Sequence, residues 1–321
     1  MSVAVVGCGY WGKNVVRSFA QLGALSAVID PNPAAAESEA AAHGAAARSW
    51  DEVLADPAIT AVSLATPAEL HFDQAMAALK AGKDVLVEKP IALTAADGEA
   101  LKAAAEASGR VLMVGHLLQY HPAFEALLAL VEAGRLGALR YAHSNRLSMG
   151  KFRLEENVLW SFAPHDVSML LALFGAAPVE VRATGGAFAT AGIEDEVQVD
   201  MIFPGGGHGH VFASWLHPFK EHRLVVVGET ASAVLDDTQP WERKLVLYPY
   251  ALKTGAGAPE AIKGEPEAIS VPQDEPLKRE CAHFLAACRD RSTPRTDAAE
   301  ALRVLRVLSQ AQACLDASAG A

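Results

Sequence analysis

Three groups of residues in this 321-residue chain have the types and spacing to do chemistry. Gly7, Gly9 and Gly12 stand as G-x-G-x-x-G within "VVGCGYWGKN". Lys89 stands next to last in the run "DVLVEKP" at 84–90, and His165 lies within "WSFAPHDVSMLLALFG" at 160–175. A glycine loop of this spacing can seat a pyrophosphate. Its first glycine makes a tight turn, its second lets the backbone approach the phosphates, and its third lets a helix pack close to a strand. The free N–H groups of the helix that follows then face the anion. Lysine stabilises developing negative charge, and histidine moves protons near neutral pH.

Context sharpens the first reading. An apolar run precedes the loop, a helical pattern follows it, and the next apolar run ends in Asp30. A carboxylate there accepts hydrogen bonds from an adenosine ribose and repels a 2′-phosphate, which favours NAD over NADP. A structural turn followed by a solvated aspartate is the plainer alternative, and the flanking strand and helix weigh against it. Lys89 sits between an apolar strand and Pro90, at the carboxyl end of the strand, where ligands bind in such sheets. For His165 the helical wheel is informative. Val167, Leu170, Leu171 and Phe174 make an apolar stripe at i, i+3, i+4 and i+7. His165 falls on the other side with Ser168 and Ala172, and with Met169 nearby, so it is expected to face a cleft or solvent. Asp166 reads as a first-turn carboxylate favoured by the helix dipole.

The elements that must position these residues follow from periodicity. Over the first 115 residues, apolar runs at 3–6, 24–29, 59–66, 84–89 and 110–115 alternate with helical stretches, among them 68–81 and 94–107. Thr94 and Asp97 give the last a capping-box-like start. The pattern predicts an α/β fold: a doubly wound (Rossmann) parallel sheet covered on both faces, filling residues 1–118. A helix with Pro122 in its first turn and Gly134 at its stop comes next. Strands with period-2 alternation are then expected near 139–148, 178–188, 209–217, 223–229, 231–236 and 244–249. "EVQVDMIF" adds one more, with Val197, Val199, Met201 and Phe203 on one face. The second domain, 119–321, is therefore expected to be α+β, with a large, mostly antiparallel, open-faced sheet. The stretch 253–267 reads as a loop, and 275–291 and 296–315 as amphipathic helices.

Composition removes other classes. Apolar residues make up 51% of the chain, and the net charge of −11 argues against a nucleic-acid or membrane-surface partner. No run has the length of a membrane span and no leader pattern is visible. Cys8, Cys281, Cys288 and Cys314 lack zinc-ligand spacing and read as reduced thiols of a cytoplasmic protein. His208 and His210 share a strand face without an evident third ligand, so no metal is expected. "SWLHPFKEHR" at 214–223, with Lys220 and Arg223, reads as a subunit contact or a strand end.

The glycine loop, "ATPAELH" at 65–71, "EKP" at 88–90 and the stretch 160–175 together resemble the glucose–fructose oxidoreductase / inositol dehydrogenase / MocA family over essentially the whole chain. The resemblance implies a nicotinamide-dependent oxidoreductase acting on a sugar or polyol. It also implies a C-terminal sheet whose open face commonly makes subunit contacts, hence a homodimer or homotetramer. By the same resemblance, Lys89 matches the lysine that hydrogen-bonds the reacting hydroxyl, and His165 the catalytic histidine. Thr66, Pro67 and His71 match the segment lining the nicotinamide ribose; Tyr10, Trp11 and Glu88 are counted with the cofactor residues. The peptide before the proline is often cis in that family. Two positions depart from its pattern: Ser161 and Ser168 stand where aspartates are common, leaving Lys89 and His165 as the catalytic pair. Gln119 replaces a common arginine. His116 is a candidate contact to substrate or cofactor; for His121 a helix-entry role is the alternative.

The stretch 145–166 is similar to a branch of the family that oxidises the C3 hydroxyl of UDP-N-acetylglucosamine or a related UDP-sugar. Lys151 and Arg153 suit a diphosphate, and Asn145 and Asn157 suit hydroxyl or acetamido groups. Equally open is a solvated loop of mixed charge formed by Lys151, Arg153, Glu155 and Glu156. Rival functions are a free-sugar or inositol dehydrogenase, a keto-sugar reductase, and a non-catalytic NAD(H)-binding regulator. The joint presence of Lys89 and His165 weighs against the regulator.

Overall fold

A computed structural model describes residues 1–150, 152–255 and 257–319, in two compact units. The first unit holds residues 1–120 and 274–305. Its chain runs β1 (Val3–Val6), α1 (Gly12–Gln21), β2 (Leu25–Ile29), α2 (Pro33–Ala42), β3 (Ala46–Ala47), α3 (Trp50–Ala55), β4 (Ala61–Leu64), α4 (His71–Lys80), β5 (Asp84–Val87), α5 (Ala95–Ser108) and β6 (Leu112–Val114). All strand pairs are parallel, in the order β3-β2-β1-β4-β5-β6. Every residue of β1, β4 and β5 is buried, as expected of strands covered on both faces. The strand order reverses between β1 and β4. At such a switch point the loops leave in opposite directions and open a crevice at the carboxyl ends of the strands. Helix α5 starts as expected: the Thr94 hydroxyl oxygen accepts the Asp97 amide and donates to its carboxylate at 2.7 Å.

The second unit holds residues 121–273 together with the chain from 306 onward. It comprises α6 (Pro122–Glu132), β7 (Leu139–Met149), α7 (Val158–Phe174), β8 (Glu180–Gly186), β9 (Glu196–Ile202), β10 (His208–Ser214), β11 (Leu216–Gly228), β12 (Ala231–Asp236), β13 (Leu245–Lys253), β14 (Glu260–Lys263) and β15 (Glu267–Ala268). The strands form one sheet, ordered β14-β13-β12-β11-β7-β10-β9-β8, with β15 also on β13. The pairing is antiparallel except where β7 meets β10. Helix α7 lies on one face of this sheet against β7, β9 and β10.

The structure departs from the sequence expectations in three places. The chain from 274 to 305 does not stay with the second domain, as a single cut at 118 would have it. Helix α8 (Pro276–Asp290) packs on α1, and its Leu277, Cys281, Phe284 and Cys288 join Val15, Val16, Phe19 and Met113 in one core. Phe19 and Phe284 meet edge to face at 6.3 Å. Helix α9 (Ala298–Ala319) begins in the first unit and ends in the second. Within the expected loop 253–267, β14 and β15 form and pair with β13. Asp166 is no first-turn residue, because α7 starts at Val158 and places Asp166 in its third turn, fully buried.

Candidate active site

Each glycine of the loop has a different reason to be glycine. Gly7 has φ +87°, and its amide donates to the Ile29 carbonyl at 2.8 Å. A Cβ on Gly12, the first residue of α1, would stand 2.0 Å from the Gly7 carbonyl oxygen. Gly9 faces open space, with no atom within 4 Å of where its Cβ would be. No side chain caps the first turn of α1. Asp30 ends β2 beside this loop. Its Oδ2 accepts from the Cys8 amide at 2.9 Å and from the Cys8 thiol at 3.3 Å, and its Oδ1 accepts from the Asn32 amide at 2.9 Å. Burial raises the Asp30 pKa, but the two amides outweigh it and hold the carboxyl below its ordinary value. The Cys8 thiol is pushed up to about 11 by burial and by Asp30, so it stays protonated near neutral pH. Tyr10 is exposed, whereas the Trp11 indole Nε1 donates to Glu88 Oε1 at 2.6 Å.

Glu88, Lys89 and Pro90 follow β5 directly and are half-buried, and the Lys89–Pro90 peptide is cis. Burial raises the Glu88 pKa, against the pull of Trp11 and Lys89. His71, expected along a nicotinamide ribose, is fully buried and has another task. Its Nδ1 lies 2.7 Å from the Pro90 carbonyl and its Nε2 2.9 Å from the Thr66 carbonyl, tying the β4 and β5 turns together. Burial holds the ring's pKa low, and a neutral ring donates to one of these carbonyls only. The Thr66 hydroxyl donates to Gln74 at 2.7 Å, and Pro67 is exposed. His116 is likewise buried, with Nδ1 2.5 Å from Glu300, which also accepts from Gln119 at 2.9 Å. His116 is thus a core partner of Glu300 rather than an open contact.

In the second unit Asn157 is the N-cap of α7. Its Oδ1 accepts the Trp160 amide at 3.3 Å and its Nδ2 donates to Glu194 and Gln312 at 2.6 and 3.0 Å. These bonds engage both of its polar atoms, so the substrate role expected of it gives way to a structural one. His165 is half-buried, as are Phe162 and Ala172 along the same side. Ser161, Ser168 and Met169 are buried, so α7 is covered nearly all round and the open strip is narrower than the wheel suggests. Asp166, next to His165, accepts from the Ser144 hydroxyl at 2.6 Å and from the Arg146 guanidinium through two nitrogens.

These contacts fix the faces of β7. Ser144 and Arg146 face α7. Asn145, one residue out of step, faces the opposite side of the sheet. There it lines a concavity of about 530 Å³ with Tyr141, His143, Gln198, His210 and Phe212. Its amide donates to Glu221 at 2.7 Å. Asn145 therefore shares no sheet face with α7, contrary to expectation. On that outer face His210 pairs with Asp200 at 2.6 Å. Arg153 is paired with Glu156 in the exposed loop before α7; Lys151 lies outside the described residues. His121 takes the helix-entry role: Nδ1 accepts the Ala123 amide at 3.1 Å, and Nε2 pairs with Asp237.

Two groups on the α7 side were not found from sequence. Arg146 is one. The other is His222, its register partner on β11, which burial and the charges of Arg146 and Lys220 push down to about 4. Period-2 alternation would have paired both with Ser144 on the α7 face rather than with Asn145.

Comparison with known proteins decides the family. Residues 1–116 match the oxidoreductase family with an NAD-binding Rossmann fold, and residues 124–234 match the GFO/IDH/MocA C-terminal domain. The chain belongs to the GFO/IDH/MocA family. It is 31% identical to UDP-N-acetylglucosamine 3-dehydrogenase of Acidithiobacillus ferrooxidans, over 99% of this chain and 98% of that one. The solved structure of that enzyme superposes with a TM-score of 0.89 at 30% identity, covering 100% of this chain and 99% of the other. The scyllo-inositol 2-dehydrogenase (NAD(+)) of Bacillus subtilis is 30% identical over 71% of this chain and 72% of its own. GenD2 from gentamicin A biosynthesis, solved in complex with NAD, shares the fold: its TM-score is 0.84 at 23% identity, over 99% of this chain and 95% of that one.

The chain is thus an oxidoreductase with NAD as its cofactor, and its residues fit that group. Gly9 leaves the approach to the loop open, α1 starts uncapped there, and the Asp30 carboxylate stays ionised beside it. No helix among the described residues is long and apolar enough to cross a membrane.

Proposed function

We propose that the protein oxidises the C3 hydroxyl of UDP-N-acetylglucosamine or a closely related UDP-sugar to a ketone. The end-to-end likeness to the Acidithiobacillus dehydrogenase carries this reading. Bound NAD supplies the hydride acceptor for the carbon-bound hydrogen. His165 takes the hydroxyl proton, a task that suits a half-buried imidazole. The Lys89 ammonium stabilises the alkoxide as it develops. Arg153 exchanges Glu156 for the diphosphate of the sugar nucleotide, as a forked guanidinium does readily. With serines at 161 and 168, Lys89 and His165 alone make up the catalytic pair. The open outer face of the second sheet, with Tyr141 43% and Tyr248 40% exposed, suits contact with another copy of the chain.

A second reading is a free-sugar or inositol dehydrogenase. The Arg153–Glu156 pair favours it, since a loop whose charges satisfy each other needs no diphosphate.

NADH formation with UDP-N-acetylglucosamine, free inositol and glucose separates the two. Turnover confined to the UDP-sugar, with Lys89→Ala and His165→Ala at least about a hundredfold slower, supports the proposal. Preference for free inositol or glucose overturns the UDP-sugar assignment.

A further inference from the structure

Two glutamates are buried within the first unit, and they are treated differently. Glu300, 3% exposed, accepts hydrogen bonds from His116 and Gln119. Glu280, on α8, is 1% exposed, and its Oε1 has no hydrogen-bond partner. An ionised carboxylate in such a place carries a desolvation cost, unlike a neutral acid, which has no charge to desolvate. The groups around it add to that cost. Glu88, at the end of β5, and Cys281, on Glu280's own helix, bring no positive charge, and neither does Tyr120, in the turn after β6 that packs on α8; His283 of α8 and Arg295 lie against the Tyr120 ring, at 5.2 and 5.1 Å, and Arg295 donates to the Gln119 carbonyl. Arg17 of α1 is taken by Glu275, one turn earlier on the approach to α8. Burial raises the Glu280 pKa well above the ordinary value, and the charge of Glu88 raises it further.

Glu88 has what Glu280 lacks. The Trp11 indole donates to it, and Lys89 and His116 favour its charge. Of two interacting carboxyls, the one with donors ionises first and the other keeps the proton.

We propose that Glu280 is a positioning residue that carries a proton at neutral pH, leaving Glu88 as the single anion that ties the glycine loop to the turn bearing Lys89. Loss of that proton sets a second anion against Glu88, and the Trp11 tie, the exposed end of the pair, gives way. Affinity for NAD(H) then falls on the alkaline side. The proposal rests on the loop's cofactor role and not on the identity of the sugar.

The test uses the intact protein without substrate. NADH affinity is titrated from pH 6 to pH 10 in wild type and in Glu280→Gln, a neutral isostere. The wild type should lose affinity about tenfold per pH unit once the pair releases its proton. Glu280→Gln should bind within about twofold of wild type at pH 7 and stay level above it, since a shift of about 1.4 kcal/mol would be needed for tenfold. An unchanged alkaline limb in Glu280→Gln overturns the proposal, and so does a tenfold weaker affinity at pH 7. Infrared spectroscopy of the cofactor-free protein gives an independent readout. A protonated-carboxyl band should be present at pH 7 in the wild type and missing from both Glu280→Gln and Glu280→Met; its persistence in either variant, or absence from the wild type, overturns the assignment.

Discussion

The indole Nε1 of Trp11 lies 2.6 Å from Oε1 of Glu88, so the loop after β1 and the turn after β5 are joined by one hydrogen bond to a carboxylate. The two turns leave strands on either side of the switch point, with β4 between them. Trp11→Phe keeps an aromatic ring and deletes the donor. A hydrogen bond to a charged group contributes about 1.5 kcal/mol or more, so NADH should bind at least about tenfold more weakly. Calorimetric titration measures this; an unchanged Kd would show that the loop needs no tie.

Gly9 and Gly12 should fail in opposite ways. A methyl on Gly12 meets the Gly7 carbonyl, a backbone atom that cannot swing aside. Gly12→Ala should therefore lower the melting temperature, at a cost of about 1–3 kcal/mol or more. A methyl on Gly9 meets nothing in the cofactor-free protein. Gly9→Ala should melt like the wild type and lose NADH affinity by at least about tenfold, because the methyl occupies the backbone's approach to the pyrophosphate. If Gly9→Ala binds NADH normally, the pyrophosphate does not sit over this residue.

Asp30 is expected to set cofactor choice, and its charge is unusually secure. Amide hydrogen bonds hold its carboxyl below the ordinary range, so Asp30 should stay charged from pH 8 down to pH 5. Over that range the preference for NAD over NADP should ease only as far as the NADP 2′-phosphate takes up its second proton, at about pH 6, and it should fall further only as the pH passes through the lowered Asp30 value. Asp30→Asn keeps an acceptor for the Cys8 amide and removes the charge. The ratio of NADP to NAD dissociation constants should fall by about tenfold, read by titration with both reduced cofactors.

What the sequence made legible was what local pattern encodes. The apolar runs of β1, β4 and β5 and the glycine spacing are local, and both led to the Rossmann half and the loop. Alternation in 196–202 likewise led to β9. What failed was long-range. The periodicity of α8 shows that Leu277, Cys281 and Phe284 share a face, but not that the face belongs to Phe19 and Met113, more than 150 residues earlier in the chain. His71, His116 and Asn157 invite a reading as ligand contacts because they are polar residues near motifs. Their partners, the carbonyls of Thr66 and Pro90, Glu300, and Gln312, are set by tertiary packing. Asn145 failed by a single residue, since a strand's two faces alternate and the useful side chain was its neighbour Arg146.

That neighbour supports a last prediction, in which a magnitude measures what Asp166 does in the third turn of α7. A carboxylate in the first turn of a helix stabilises it by about 0.3–1 kcal/mol. A buried partner of an arginine is a different matter. The side chains of Asp166 and Arg146 are 1% and 11% exposed, and removing one member leaves the other charged and desolvated. Asp166→Ala should thus cost about 3–5 kcal/mol and lower the melting temperature sharply. The double variant Arg146→Met with Asp166→Leu should recover most of that loss, because no charge is left stranded. Calorimetric melting of the three proteins measures both effects. A loss below about 1 kcal/mol in Asp166→Ala would show that the pair with Arg146 contributes no more than a surface ion pair and that α7, which carries His165 one residue earlier, is held to β7 by packing.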